Sequence, residues 1–270
     1  MSVAEYLIGD VFDVLASMPD ASVDPVLTSP PFPALRSSLP ADHPDKHKEI
    51  GSEPTPAESL DTLLALTAEW GRVLAPHGSI AVELGDTYAG TNTGGGKVGT
   101  LDGESRRAEA SDRKYAGPWA NPGYGDGFKG GNPGGAGWPL DKSLCGIPHL
   151  YHLSLAYGRN LLTGEPSPAG QWRVRNVVAW CRPNPPVGAL GDKFRPATSY
   201  MTIATRARDR WFDLDAVRTE HQVDPSTRKK QTASDRNNDT GGKALGAPRP
   251  EGFTNEGNPA GAPPLDWWNV

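Results

Sequence analysis

Several things are scarce in this 270-residue chain. There are two cysteines, Cys145 and Cys181, far apart and outside any metal-ligand spacing. That excludes a disulfide framework or a thiolate metal centre and fits a reduced, cytosolic protein. No segment approaches the apolar length a bilayer span requires. The opening residues MSVAEYLIGD lack both a basic patch and a long apolar run, so they do not read as a secretion leader. Hydrophobic residues make up only 36%, against 32 glycines and 27 prolines. A core of useful size is still possible at this length, but part of the chain should be irregular.

Positive charge is also short overall, with a net charge of −5, yet it is unevenly spread. Residues 1–170 carry 12 Lys+Arg against 21 Asp+Glu, whereas residues 171–250 carry 15 against 8. The last twenty residues add three acids. An acidic first part followed by a basic third suits either a solvated basic face or a surface that meets phosphates.

The most informative stretch is Val26-Leu27-Thr28-Ser29-Pro30-Pro31-Phe32. Apolar and β-branched residues run into a hydroxyl, two prolines and an aromatic ring. This predicts a strand ending in a stiff turn, because proline fixes φ and cannot donate to a ladder. In open α/β sheets, chemistry is done at such carboxyl ends. A residue preceding proline is held extended, so the Ser29 hydroxyl and the Pro30 carbonyl can point the same way beside the Phe32 ring. Two acceptors next to a π-face suit a planar base with an exocyclic NH₂. Accepting both amine hydrogens favours a pyramidal nitrogen whose lone pair can attack an electrophilic methyl group.

Thr28-Ser29-Pro30-Pro31-Phe32 resembles the catalytic signature of the amino-directed DNA methyltransferases, which act on cytosine N4 or adenine N6. The resemblance implies S-adenosyl-L-methionine as methyl donor, a flipped base in double-stranded DNA as substrate, and no metal. Ser in the first position is the commoner form among cytosine-N4 enzymes. It further implies an α/β fold built on a Rossmann-like methyltransferase sheet, and a cytoplasmic, nucleoid-associated protein of restriction–modification type. Ser29, Pro30, Pro31 and Phe32 are then the expected catalytic residues.

The rest of the chain falls into matching order. Tyr6–Asp10 reads as a short strand, Val11, Leu15 and Met18 as one face of a helix, and Val23–Thr28 as the next strand. Gly9-Asp10 resembles the family's adenosine-holding pair, so Asp10, with Thr28, is an expected cofactor contact. A cap on the following helix is an equal role for Asp10. Thr55-Pro56 with Glu58 predicts a capped helix through Leu74, and Ser79–Leu84 a strand. Asp86, just past that strand, is a candidate for contact with substrate. Residues 89–137 hold 15 glycines from Gly90 to Gly137 and form an insertion that cannot pack a core. Helical spacing returns over 147–162, then a strand over 172–180. Trp180-Cys181-Arg182-Pro183-Asn184-Pro185 resembles the family's Trp-x-Lys-Pro-Asn-Pro segment beside the flipped base, with Arg182 where the family has lysine. Arg182, Asn184 and Arg195 are the expected DNA contacts. Strands are expected over 195–205 and 210–213, with Trp211-Phe212 in the core.

Two regions follow from this: a methyltransferase domain over 1–220 and an irregular or target-recognition segment over 221–270. The family's Phe-x-Gly-x-Gly cofactor loop has no counterpart after Phe212. The sheet is therefore expected to be incomplete. Three readings of that gap stay open: a truncated form, a second polypeptide supplying the cofactor half, or a catalytically inactive DNA-binding relative. Adenine-N6 methylation and, from an Asn-Pro-Pro-Tyr relative of the turn, RNA or protein amide methylation are the competing activities.

Overall fold

The computed structural model describes residues 4–33, 39–40, 42–89, 137–140, 142–185, 193–221 and 260–269. Two compact units are present, Met1–Trp211 with Asp266–Val270, and Phe212–Leu265. Among the described residues, the first unit carries the strands β1 (Val23–Thr28), β2 (Leu74–Leu84), β3 (Arg173–Cys181), β4 (Thr198–Thr205) and β5 (Trp267–Asn269). It also carries the helices α1 (Val11–Ser17), α2 (Pro56–Val73) and α3 (Ile147–Tyr157). In the second unit the described residues form a single 3₁₀ turn at Asp215–Val217 and a bridge between Thr219 and Ala262, tied by Arg218 donating to the Gly261 carbonyl at 2.9 Å.

The sheet order is β1-β2-β4-β3-β5. β1 and β2 are parallel, joined through α2; β2–β4 and β4–β3 are antiparallel; β5 returns parallel to β3. This is a mixed, partial α/β sheet: among the described residues, the outer edge of β1 has no partner strand. Pro25 is tolerated there because it sits at a register irregularity of an edge strand, where no ladder donor is missed. β2 enters close against β1 at Gly78, where a Cβ would lie 2.3 Å from the Asp24 carbonyl oxygen. Only glycine fits that approach.

α2 starts as its sequence dictates. The Thr55 hydroxyl accepts from the Glu58 amide at 3.3 Å and meets the Glu58 carboxylate at 2.8 Å, with Pro56 in the first turn. Leu60, Leu63, Leu64, Trp70 and Val73 turn one face to the sheet, where Ile80, Val82 and Leu84 are fully buried. Ile147, Tyr151 and Leu155 of α3 complete this core. Arg72 locks α1 onto α2 by donating to the carbonyls of Leu15 at 2.6 Å and Met18 at 2.9 Å, and to Asp20 at 2.6 Å.

Inside this core the Tyr151 hydroxyl meets the Thr67 hydroxyl at 2.7 Å, while Thr67 also donates to the Leu63 carbonyl at 2.7 Å. Burial pushes the pKa of the Tyr151 phenol up, a shift only partly offset by Thr67. Replacing Tyr151 by Phe removes one buried bond but leaves Thr67 its helical acceptor. The expected loss is about 1 kcal/mol, read as a lower urea midpoint at unchanged slope.

Four expectations need correction. Residues 6–8 do not form a strand: Tyr6 and Ile8 are 88% and 97% exposed and pair with no described strand. A strand without a neighbour has nowhere to place its backbone donors but water. Residues 210–213 are irregular, and Trp211 and Phe212 are exposed rather than in the core. The strand beyond β3 comes instead from Trp267–Asn269, at the far end of the chain. α3 stops at Tyr157, short of the expected residue 162, because Gly158 adopts a left-handed φ of 68° that ends the helix.

The sequence regions 90–136 and 222–259, with their arginines and Arg228-Lys229-Lys230, lie outside the described residues. The flanks of the first are zipped together: Tyr88 bridges Leu144, and the Cys145 amide donates to the Thr87 carbonyl at 2.9 Å. Among the described residues, no helix is long and apolar enough to cross a membrane.

Candidate active site

The carboxyl ends of β1, β2 and β3 and the start of β4 share one rim of the sheet, by register. Ser29 follows Thr28 directly and is exposed; Pro30 and Pro33 are buried and hold the turn down. Phe32 is half-buried against Gly85: a Cβ there would lie 2.6 Å from the ring's Cε2. On the other side Gly51, with φ 87°, lets the backbone of Pro31 and Phe32 approach to about van der Waals distance, a Cβ there lying 3.0 Å from the Phe32 carbonyl oxygen. The stiff turn expected at residues 29–32 is thus clamped between two glycines that are not its neighbours in sequence.

The Ser29 hydroxyl donates to Glu83 Oε2 at 2.6 Å. Glu83 Oε1 accepts from the Ser199 hydroxyl at 2.5 Å and from Arg182 Nη2 at 3.1 Å, and Arg182 also donates to Ser199 at 3.2 Å. The Glu83 side chain is only 13% exposed. One carboxylate therefore ties the Ser29 turn to β2, to Arg182 just past β3, and to β4. Because the Ser29 hydroxyl hydrogen points to Glu83, both lone pairs of its oxygen remain for an incoming donor. That is the state an amine-receiving hydroxyl needs.

Sequence reasoning missed Glu83 and Ser199 and named Asp86 instead. In β2, Ile80, Val82 and Leu84 point into the core, so strand alternation sends Glu83 to the opposite face, in register with Met201. A lone acid near the end of an apolar strand was the available signal. Asp86 has other partners. Its carboxylate accepts from the amides of Thr87, Gly146 and Ile147 at 2.9, 2.9 and 3.2 Å, capping α3 and joining the two flanks of the insertion. Asp10 caps α1, accepting from Phe12 at 2.9 Å and Asp13 at 3.4 Å. Thr28 is half-buried opposite Val82. Arg182 joins the Ser29 cluster, while Asn184 and Arg195 are exposed on the same rim.

Cys145, beside the Asp86 cap, illustrates the local field. Burial, and secondarily the Asp86 charge, push its thiol up to about 11. It stays protonated until the pH approaches that value, so thiolate chemistry is shut off at neutral pH. Iodoacetamide at pH 8 should leave Cys145 unmodified in the folded chain and label it after denaturation, as read by peptide mass mapping.

Comparison with known proteins adds the family context. The chain is 25% identical over 227 residues to the Type II methyltransferase M.SfiI of Streptomyces fimbriatus, covering 84% of this chain and 42% of that one. It is 26% identical over 212 residues to M.Cfr9I of Citrobacter freundii, covering 78% and 57%. Its relatives are Type II methyltransferases. The chain spans about half the length of the curated relatives it matches. No family model matches it. Among solved structures it is similar to the PvuII DNA methyltransferase (cytosine-N4-specific), at 14% identity and a TM-score of 0.42, over 77% of this chain and 50% of that one.

Proposed function

We propose that this chain is the catalytic and DNA-facing part of a DNA methyltransferase that modifies the exocyclic amine of a flipped base, with cytosine N4 favoured. The observation that carries the reading is the Ser29–Glu83 hydrogen bond, at the end of a strand that runs into Pro-Pro-Phe. The Type II methyltransferase relatives support the same reaction class.

S-adenosyl-L-methionine, when bound, supplies an electrophilic methyl group. Its fit to the described residues is partial. Asp10 already caps α1 but has a second carboxylate oxygen to offer, Thr28 lies at the strand end, and no glycine-rich strand–turn–helix loop accompanies them. The remainder of the cofactor site is assigned to a further half, supplied by a second polypeptide or by additional chain. Its absence from the described residues agrees with the unpaired outer edge of β1, where Leu27 is 73% exposed.

The chain's own residues would act on the amine. Phe32 supports the base, and Ser29 Oγ with the Pro30 carbonyl accepts its two hydrogens. For the methylated amine to end neutral it must shed one proton: that proton would pass to Ser29 Oγ as the Ser29 proton passes to Glu83 Oε2, while the electron pair of the broken methyl–sulfur bond would stay on the donor's sulfur. Arg182 and Ser199 hold the carboxylate in line. No covalent enzyme intermediate is required.

The test is to express the chain in a host together with its flanking coding sequence, which would supply the cofactor half, digest the host DNA to nucleosides, and analyse them by mass spectrometry. N4-methylcytosine is the expected product. N6-methyladenine would move the reading to the adenine subclass. Neither product, with DNA retained and no heat of cofactor binding by calorimetry, would leave a non-catalytic DNA-binding relative.

A further inference from the structure

Phe194 is 97% exposed and lies four residues before β4, whose start shares the rim with the ends of β1, β2 and β3. From the reading of the chain as a base-flipping enzyme, on which this inference rests, we propose that Phe194 is the wedge that enters the duplex where the target base has left. Extracting a base leaves an unstacked gap, and DNA-binding proteins commonly fill such gaps with apolar side chains.

Three features favour this role. The first is rigidity. Pro196 keeps Arg195 extended, and the Ala197 carbonyl accepts from the Arg182 amide at 2.8 Å. On the other side, Lys193 Nζ lies 3.6 Å from the centroid of the Tyr88 ring. The ring is thus held out in water by fastenings on both sides. The second feature is reach. Ser199, which donates to Glu83, is five residues further on, so even a fully extended chain keeps Phe194 within roughly 17 Å of the catalytic cluster. The third is charge. Lys193 and Arg195 flank the ring and are exposed. Cations on both sides of a protruding ring suit phosphates on both sides of a base step. The centre of a protein–protein contact is instead depleted of charge.

The experiment measures binding of the full chain, by fluorescence anisotropy, to duplex pools with randomised flanks around a central cytosine. That cytosine is either paired with guanine or mismatched with adenine. Wild type should prefer the mismatch, whose base is cheaper to extract. Phe194→Ala should weaken binding to the paired duplex about tenfold and to the mismatched duplex less than about threefold, with Phe194→Leu retaining most of the wild-type affinity. Arg195→Ala should weaken both duplexes alike, as a phosphate contact does. Equal losses on both duplexes for Phe194→Ala, or no loss, would overturn the wedge. So would unchanged DNA binding with altered self-association in sedimentation, which would give the ring to a protein interface. If wild type binds both duplexes alike, no base is being extracted, and the base-flipping reading fails before the wedge is at issue.

Discussion

Ser29→Ala should lower methyl transfer by about 100- to 1000-fold while changing DNA retention by less than about threefold. In the proposed mechanism the hydroxyl's lone pairs meet the amine most strongly as the nitrogen becomes pyramidal, so the interaction belongs to the transition state more than to the bound complex. Little of the fold depends on it: Ser29 is exposed, and its one bond, to Glu83 at 2.6 Å, joins a turn already clamped by buried Pro30 and Pro33. Methyl incorporation from labelled cofactor and filter retention of DNA, measured on the same preparations, separate the two effects. Parallel loss of binding and rate would make Ser29 an ordinary DNA contact.

Glu83→Gln should cost about 100-fold in turnover with little change in melting temperature. The carboxylate receives two hydroxyls and a guanidinium, and all three approach it as donors. An amide keeps the shape but offers only one acceptor oxygen and turns two hydrogens toward groups that already donate. Ser29 would then have to reorient or lose its partner, and its proton would have no anion to go to. The stability term is small by comparison. Arg182 is 42% exposed at its side chain, and ion pairs so open to solvent are worth about 1 kcal/mol or less. Ser199→Ala removes one of the two hydroxyls yet leaves Ser29 bonded, so it should cost far less than Glu83→Gln. A Gln variant with full activity, or one that merely melts early, would remove Glu83 from the reaction.

Local signals in the chain were enough for its framework. The run from Val23 to Thr28 into two prolines specifies a strand and its stop, because proline denies the ladder a donor. Thr55, Pro56 and Glu58 specify where α2 begins, because the Thr55 hydroxyl accepts from an orphan amide of the first turn, Pro56 has no amide to leave orphaned, and the Glu58 carboxylate accepts from that hydroxyl. Other segments misled because their outcome depends on neighbours. Tyr6–Ile8 has strand composition but no described strand beside it, and Trp211 is aromatic but has no layer to pack under.

What the amino-acid sequence determined by itself was the make-up of one corner: a hydroxyl, two prolines and a ring at a strand's end. What only the tertiary structure decided was the carboxylate that faces that hydroxyl. Glu83 and Asp86 are three residues apart and equally acidic on paper. The pleat of β2 turns Glu83 to the open face beside Ser29, Arg182 and Ser199, while the chain beyond Leu84 carries Asp86 to the amides of α3. Ser29 and Ser199 lie 170 residues apart in the chain, and no local pattern brings them to one oxygen pair. Hydrogen bonds across strands are set by register, and register is a property of the assembled sheet.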